Sequence, residues 1–490
     1  NIPVGYLYTI GNPRTDWCYE TEPTPGLNGR SIGYARGKVL GGCSSINAMI
    51  YMRGQKSDYD HWAQLGNHGW GWDQVLPYFK RSEDYSGTAA QADVYHGVAG
   101  PLHVSTVKPT AICDMYLKAC ADQGIATVDD LNRGNQKGAA YFDITVKKGR
   151  RHNTVSAFLK PIRSRKNLTI MKHSLVNRVL FEGKAAVGVE LVCKDKVSNI
   201  LARCEVIVSA GTINSPQLLQ LSGIGNKTLL DLHGINTVVD LPGVGENLQD
   251  HIGAVVANHI RAPLGLNAEL KPHRLAYNLY LYLTKGEGIL NFPAAEVGGF
   301  FCSDPSLDRP DLQMHFTRVS GDRDIDNKST LDDLPGVTSI AYLTRPESRG
   351  SVKITSSDST KPPLIEANYL STENDRMTLI AGFRRLRDIF TGKSLADVLG
   401  QELRPGAGVE SDEDILAYIQ QHGTTAFHPV GTCKMGDDEQ AVVDDSLCVH
   451  GVSNLRVVDA SIMPTLISGN TNAATIMIAE KGADLILGAK

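Results

Sequence analysis

Residues 36–54 read RGKVLGGCSSINAMIYMRG, and the adjacent glycines Gly41 and Gly42 near its head most constrain what this chain folds around. With no Cβ in the way, a glycine backbone can approach a ligand closely. The small hydroxyl residues that follow, with N–H groups beside them, suit a phosphate or pyrophosphate. Taken alone, a Gly–Ser cluster is more often an ordinary turn, so the rest of the chain must decide between the two.

Four further segments decide it. They are SAGTINSPQLLQLSG at 209–223, GVGENLQDH at 243–251, HPVGTCKMG at 428–436 and LRVVDASIMPTLISGNTNAATIMIAE at 455–480. With 36–54, and in this order, they resemble the signatures of the glucose–methanol–choline (GMC) family of FAD-dependent oxidoreductases, over essentially residues 1–490. The resemblance is to the choline-dehydrogenase-like, primary alcohol dehydrogenase branch. It implies an α/β, Rossmann-like FAD-binding domain and an α+β substrate domain built on an antiparallel sheet. The expected division is 1–60, 160–255 and 440–490 for FAD, with 61–159 and 256–439 for substrate and connections.

One expected motif is absent. Dinucleotide folds open on a strand, a G-x-G-x-x-G turn and a helix. GVGENL at 243–248 and GIGNKT at 223–228 both lack the last glycine, and the chain starts at Asn1. The expectation is that the first βαβ unit lies outside this sequence, the alternative being a truncated chain that binds FAD poorly.

A chain of 490 residues predicts two domains. A net charge of −4 argues against a nucleic-acid partner, which wants a basic face. No run of about eighteen apolar residues occurs, so no transmembrane segment is expected. That leaves a cytoplasmic or peripherally membrane-associated protein. Nine cysteines without a C-x-x-C pair read as reduced, mostly buried thiols rather than a disulfide framework. Cys433, near His428, reads as buried packing, because the rest of a metal set is missing nearby.

NLTIM (167–171), NRVLF (177–181), AVGVELVC (186–193) and CEVIVSA (204–210) predict a run of strands. A helix follows Gly211, with Pro216 suited to its first turn. LRVVDA at 455–460 predicts another strand. Between 256 and 400, YNLYLYL (277–283) predicts a helix, DLQMHF and SIAYL predict strands, and the polar stretch 318–334 reads as a surface loop. From Thr471, the spacing of Ile476, Ala479, Ala483 and Leu487 predicts a helix with Lys481 and Asp484 off the packed face.

Oxidising an alcohol removes a hydroxyl proton and an α-hydride. A flavin takes the hydride at N5, and histidine is the natural base near neutral pH. Among 14 histidines, His428 stands out because the resemblance places the catalytic histidine in HPVGTCKMG. Asn470, in SGNTNAAT, matches the family's second polar position. An amide can donate to an alkoxide-like oxygen but takes no proton, so His428 is the only base of the pair. Asn470 also suits a helix cap. The resemblance further implies that Gly41, Gly42, Asn47, Ala48 and Met49 line the pyrophosphate and flavin. It puts Val176 and Ala210 near the adenine, Asp459 and Ala460 near the ribityl or phosphates, and Asn472 and Ala473 on the isoalloxazine. The amino terminus of the last helix would stabilise negative charge on the reduced ring. Some relatives attach flavin through a histidine in the first signature. Ile46 stands there, so dissociable, non-covalent FAD is expected.

The favoured reading is an alcohol dehydrogenase that passes electrons to a quinone or other acceptor. The alternatives are an O₂-using oxidase of the same fold and a non-redox or FAD-free member. Choline would want an aromatic cage. Trp17, Trp62, Trp70 and Trp72 fall outside 256–400, the stretch read as mostly substrate domain, whereas Tyr277, Tyr280, Tyr282, Phe300 and Phe301 fall inside it. An uncharged aliphatic or aromatic primary alcohol is preferred.

Overall fold

The computed structural model describes residues 2–87, 94–261, 263–285, 288–323 and 329–488. Helix α1 (Trp72–Ser82) carries part of an aromatic core in which Tyr59, Trp62, Trp70, Trp72 and Phe79 pack on one another. Strands β1 (Ser174–Glu182), β2 (Ala185–Cys193) and β3 (Lys196–Leu201) form an antiparallel sheet in that order. NLTIM is not part of it: residues 167–171 form no strand. A β-branched run becomes a strand only where an edge is there to pair with it.

Strand β4 (Val206–Val208) runs into helix α2 (Gly211–Leu221). Pro216 lies inside α2 rather than in its first turn, which corrects the sequence reading. A proline has no N–H, so the carbonyl one turn back is left without its helical partner. That carbonyl, on Thr212, instead accepts a 2.6 Å bond from Thr432 Oγ1, while Thr212 Oγ1 donates to the Pro429 carbonyl at 2.7 Å. The proline thereby ties α2 to the 428–436 segment.

The larger sheet holds β5 (Ile252–Ile260), β6 (Val297–Phe301), β7 (Leu312–Thr317), β8 (Gly336–Leu343) and β9 (Leu399–Arg404). Their order is β6-β7-β8-β5-β9, all antiparallel. Helix α3 (Pro272–Lys285) includes the expected YNLYLYL helix. Helix α4 (Glu373–Phe390) covers one face of the sheet, burying Leu379, Phe383 and Leu386. A Cβ at Gly382 would stand 2.9 Å from the Leu312 side chain, so α4 and β7 touch nearly backbone to strand. The stretch 318–334 is not simply a loop. Gly321–Arg323 pairs antiparallel with Ser329–Leu331, and residues 324–328 lie outside those described. Buried Asn267 sets this up by donating to the carbonyls of Ser320 and Asp332, one on each side of the pairing.

Strand β10 (Leu455–Val457) pairs parallel with β4, and helix α5 (Asn472–Gly488) packs on α1. The packed face agrees with the spacing only at Ile476, which is buried, and Asp484, which is exposed. Ala473, Ala474, Met477, Ile478 and Lys481 are buried, whereas Ala479, Ala483 and Leu487 are exposed. Lys481 donates to the Gly69 carbonyl at 2.7 Å and lies over the Trp70 ring. Arg81 of α1 holds that rotation by pairing with Glu480 and Asp484. A long lysine stem covers apolar surface while its ammonium finds a carbonyl, so charge alone misjudged the face.

The nine cysteines are free thiols. Cys433, Cys113 and Cys120 are buried, but Cys18 and Cys204 are exposed and the other four are half-buried, so "mostly buried" was too strong. Among the described residues, no helix is long and apolar enough to cross a membrane.

Candidate active site

A short antiparallel ladder joins the segment before β5 to the segment before the His428 turn. Thr424 and Thr425 pair with Gly253 and Ile252, and Gln249 pairs with Val430. His251 and His428 therefore face each other across two rungs. Asp250 fastens the arrangement. Its Oδ1 accepts from the His251 N–H at 2.8 Å and the His428 N–H at 2.7 Å. Its Oδ2 accepts from the Tyr369 and Thr425 hydroxyls, each at 2.5 Å. Phe427, just before His428, sits at φ 60°, a left-handed conformation held by Thr425 Oγ1 on its N–H and Arg36 on its carbonyl.

His428 Nε2 lies 3.1 Å from Asn470 Nδ2, and His428 Nδ1 lies 3.0 Å from His251 Nδ1. The Asn470 side chain is turned to His428 on one side and to Gln313 Nε2, at 3.2 Å from its Oδ1, on the other. It does not cap α5. Burial pulls the His428 pKa well below the ordinary histidine value, and the charges of His251, His315 and Arg36 push the same way. His251 is lowered by burial, and His315 by burial and then by His251, to about 3. All three rings are thus neutral imidazoles at ordinary pH. His315 and Gln313 share a face of β7, with the Phe142 and Tyr342 rings against His315.

The other sequence-selected residues form a surround. Gly41 and Gly42 have φ of 86° and 52°, and a Cβ on Gly42 would meet nothing within 4 Å. Asn47 Oδ1 accepts from Arg151 at 2.7 Å and from the Met49 N–H at 3.1 Å, which fixes Met49 at φ 68° beside Ala48. The Asp459 carboxylate is fully engaged by the Gly211 N–H, Ser215 Oγ and the N–H and Oγ of Ser461. It joins β10 to α2, and Ala460 begins the short turn after it. Asn472 and buried Ala473 open α5, two residues beyond Asn470. Val176 is half-buried in β1, and Ala210 is exposed at the start of α2; neither bonds to the His428–Asn470 pair. Buried Ile46 stands in the turn after Gly42. The first N–H groups of a helix lack carbonyl partners. The first N–H of α2 is taken by Asp459, so the start of α5, with the glycine backbone at 42 open to space, is what suits an anionic dinucleotide such as FAD.

Sequence reading singled out GVGENLQDH without giving its residues work. Asn247 donates to the Gly431 and Pro464 carbonyls, and Gln249 bonds Pro464 and Leu466, which lead to Asn470. Asp250 and His251 hold His428. A usable signal was present: three consecutive polar residues, Gln249-Asp250-His251, directly before the apolar run of β5. The five rings noted within 256–400 do not assemble as a cage. Tyr277 and Tyr280 are exposed, Phe300 and Phe301 are buried in different clusters, and Tyr282 packs elsewhere.

These neutral imidazoles fix an expected pH dependence of stability. The unfolded chain protonates them near pH 6.5 and the folded chain does not. Stability therefore falls as pH drops below that value, because the unfolded state binds more protons. His96 acts oppositely. Burial lowers its pKa, but hydrogen bonds to Asp130 and Glu83 outweigh that and hold it up at about 9. Its contribution is complete below about pH 6.5 and fades as pH rises toward 9. A melting temperature that peaks near neutrality is expected. A melting temperature that rises steadily from pH 7 to 5 would contradict the neutral assignment.

Residues 11–253 and 346–479 match the amino- and carboxy-terminal models of the GMC oxidoreductase family. The chain is 40% identical to "Alcohol dehydrogenase [acceptor]" of Pseudomonas putida, over 99% of this chain and 88% of that protein. It is 41% identical to "Choline dehydrogenase, mitochondrial" of Homo sapiens, over 100% of this chain and 82% of that protein. Among solved structures, pyridoxine 4-oxidase from Mesorbium loti superposes with a TM-score of 0.88 at 30% identity, covering 99% of this chain and 91% of that one.

Proposed function

This chain belongs to the GMC oxidoreductase family, and from that premise we propose how its residues divide the FAD-dependent oxidation of a CH–OH group. The single observation that carries the reading is the 3.1 Å approach of Asn470 Nδ2 to His428 Nε2. An incoming hydroxyl displaces this hydrogen bond and takes up both groups as its own partners. It gives its proton to Nε2 and receives the Asn470 N–H on its oxygen, while Gln313 keeps the amide turned that way. When bound, FAD supplies the ring that takes the α-hydride. Because His428 is held below its ordinary pKa, it stays in its proton-accepting form into the mildly acidic range. Negative charge growing on the substrate oxygen raises its basicity as the proton moves.

Gly41 and Gly42 are assigned to the pyrophosphate, and Asn47, Ala48 and Met49 to the flavin side. Val176 and Ala210 are assigned to the adenine side, Asp459 and Ala460, through the backbone, to the ribityl region, and Asn472 and Ala473 to the ring. Ile46 offers no atom for attachment, so the yellow chromophore should leave with the cofactor on denaturation.

The electron acceptor is read as a quinone or similar carrier, and the substrate as an uncharged primary alcohol. Two features support the second point. Asp250 spends all its acceptor capacity on four donors, and His428 and the ring facing it, His251, are neutral histidines. Neither offers a counter-charge to a quaternary ammonium.

A panel of alcohols, assayed with an artificial acceptor and separately in air, tests this. The expected result is a kcat/KM for an aliphatic or aromatic primary alcohol at least about tenfold above that for choline, with faster turnover on the artificial acceptor. Choline as best substrate would overturn the substrate reading. Full turnover in air would overturn the acceptor reading.

A further inference from the structure

The two histidines raise a question that distance alone leaves open: which nitrogen of His428 carries its proton. The hydrogen-bond directions decide it. His251 Nε2 lies 3.0 Å from the Thr344 carbonyl oxygen. A carbonyl only accepts, so His251 Nε2 carries the hydrogen, and the neutral ring leaves Nδ1 with a bare lone pair. His251 Nδ1 faces His428 Nδ1 at 3.0 Å, and that bond needs one proton, which must sit on His428 Nδ1. His428 is neutral as well, so its Nε2 is bare.

The far end of the chain agrees independently. Asn470 presents its N–H₂ to His428 Nε2 and its oxygen to the Gln313 amide. An N–H₂ group can only donate, so it requires a bare Nε2. The donors therefore run one way, from Gln313 through Asn470, His428 and His251 to the Thr344 carbonyl. Every link is buried: His251 is fully enclosed, and His428, Asn470 and Gln313 are each under a tenth exposed.

We infer that His251 is a positioning residue that fixes the tautomer of His428, keeping Nε2 free for the alcohol proton. The inference deepens the proposed function and rests on it for the role of Nε2. After transfer, the proton lies on Nε2, and the His428 imidazolium keeps its Nδ1–H on His251, so the lone pair of His251 also stabilises the positive charge that forms. Without that acceptor, the Nδ1 proton loses its buried partner, and the other tautomer, which points an N–H at the substrate and is no base, becomes populated. Charged and titratable groups around the two rings are Asp250, Asp58, Arg36 and His315, and Asp58 is taken up by Arg309, Ser468 and the Gln55 N–H. Asp250 bonds only the two backbone N–H groups and two hydroxyls, so the ring protons are set by the ring-to-ring contact.

The test uses holoenzyme with ¹⁵N-labelled histidine. The His428 ring signals are identified by their loss in His428→Ala. In the unaltered protein, the expected pattern is a protonated Nδ1 and a bare Nε2; a protonated Nε2 in the neutral ring overturns the inference and needs no variant to fold. Two variants extend it. His251→Leu removes the acceptor, and His251→Asn places an amide oxygen near the former Nδ1. The expected results are a mixed or reversed tautomer with kcat/KM down about 10²-fold in the leucine variant, and return of the tautomer with most of the activity in the asparagine variant. A leucine variant that loses activity while its His428 tautomer is unchanged assigns His251 to packing alone and overturns the inference. If the tautomer is as expected but no alcohol is oxidised, the proposed function fails and the positioning role stands.

Discussion

His428→Ala is expected to retain yellow, bound flavin and to lose turnover by about 10²–10⁴-fold, the usual worth of a positioned base. The expectation rests on the uniqueness of the group. Asn470 cannot take a proton near neutrality. His251 has its lone pair on His428 and its proton on Thr344, and it lies on the far side of the His428 ring from Asn470. The visible spectrum of the purified variant separates loss of base from loss of cofactor. The loss should appear in kcat as well as kcat/KM, because the bond to Nε2 matters most as the proton leaves. Turnover within a few-fold of the unaltered enzyme would remove His428 from the mechanism.

Asp250→Ala should be the most damaging change outside the reacting pair. It strands two buried backbone N–H groups and two hydroxyls that now share one carboxylate. Each buried donor left unpaired costs about 1–3 kcal/mol, so a loss of roughly 3 kcal/mol or more in unfolding free energy is expected. The same change frees the backbone of His428 from that of His251, so activity should fall beyond what stability explains. Asp250→Asn keeps one oxygen for the two N–H groups and should be milder in both respects. Denaturant unfolding of the two variants checks the order. Equal stability of the alanine variant and the unaltered protein would show that the clamp is dispensable.

Local pattern exposed much of this molecule, and tertiary contacts wrote the rest. The strands β1, β2, β7 and β8 were visible because β-branched and apolar residues alternate or run between turns. NLTIM had the same texture but no neighbour. Pro216 looked like a helix start because the rule concerns a missing N–H, whereas the orphaned Thr212 carbonyl is rescued by Thr432, more than two hundred residues away. Lys481 was placed outside by its charge and is held inside by Trp70 and the Gly69 carbonyl. In the site, His428 and Asn470 were legible only through the family likeness of their segments, since 14 histidines offer no choice by chemistry alone. His251, Asp250, Gln249 and Gln313 went unassigned because their work is to hold other side chains. Such a role has no local signature beyond burial of polar groups. The run Gln249-Asp250-His251 ahead of β5 was that hint.

The most direct test follows one proton. Holoenzyme is mixed with a primary alcohol without oxygen, and the bleaching of the flavin band is timed across mildly acidic to basic pH, for the unaltered protein and for His428→Ala. The account predicts that the unaltered rate holds steady as pH falls through the ordinary histidine value of about 6.5, because the buried imidazole remains unprotonated there. The variant should bleach slowly at neutral pH and gain speed only as solution base rises. Equal bleaching rates for the two proteins at neutral pH would contradict the account.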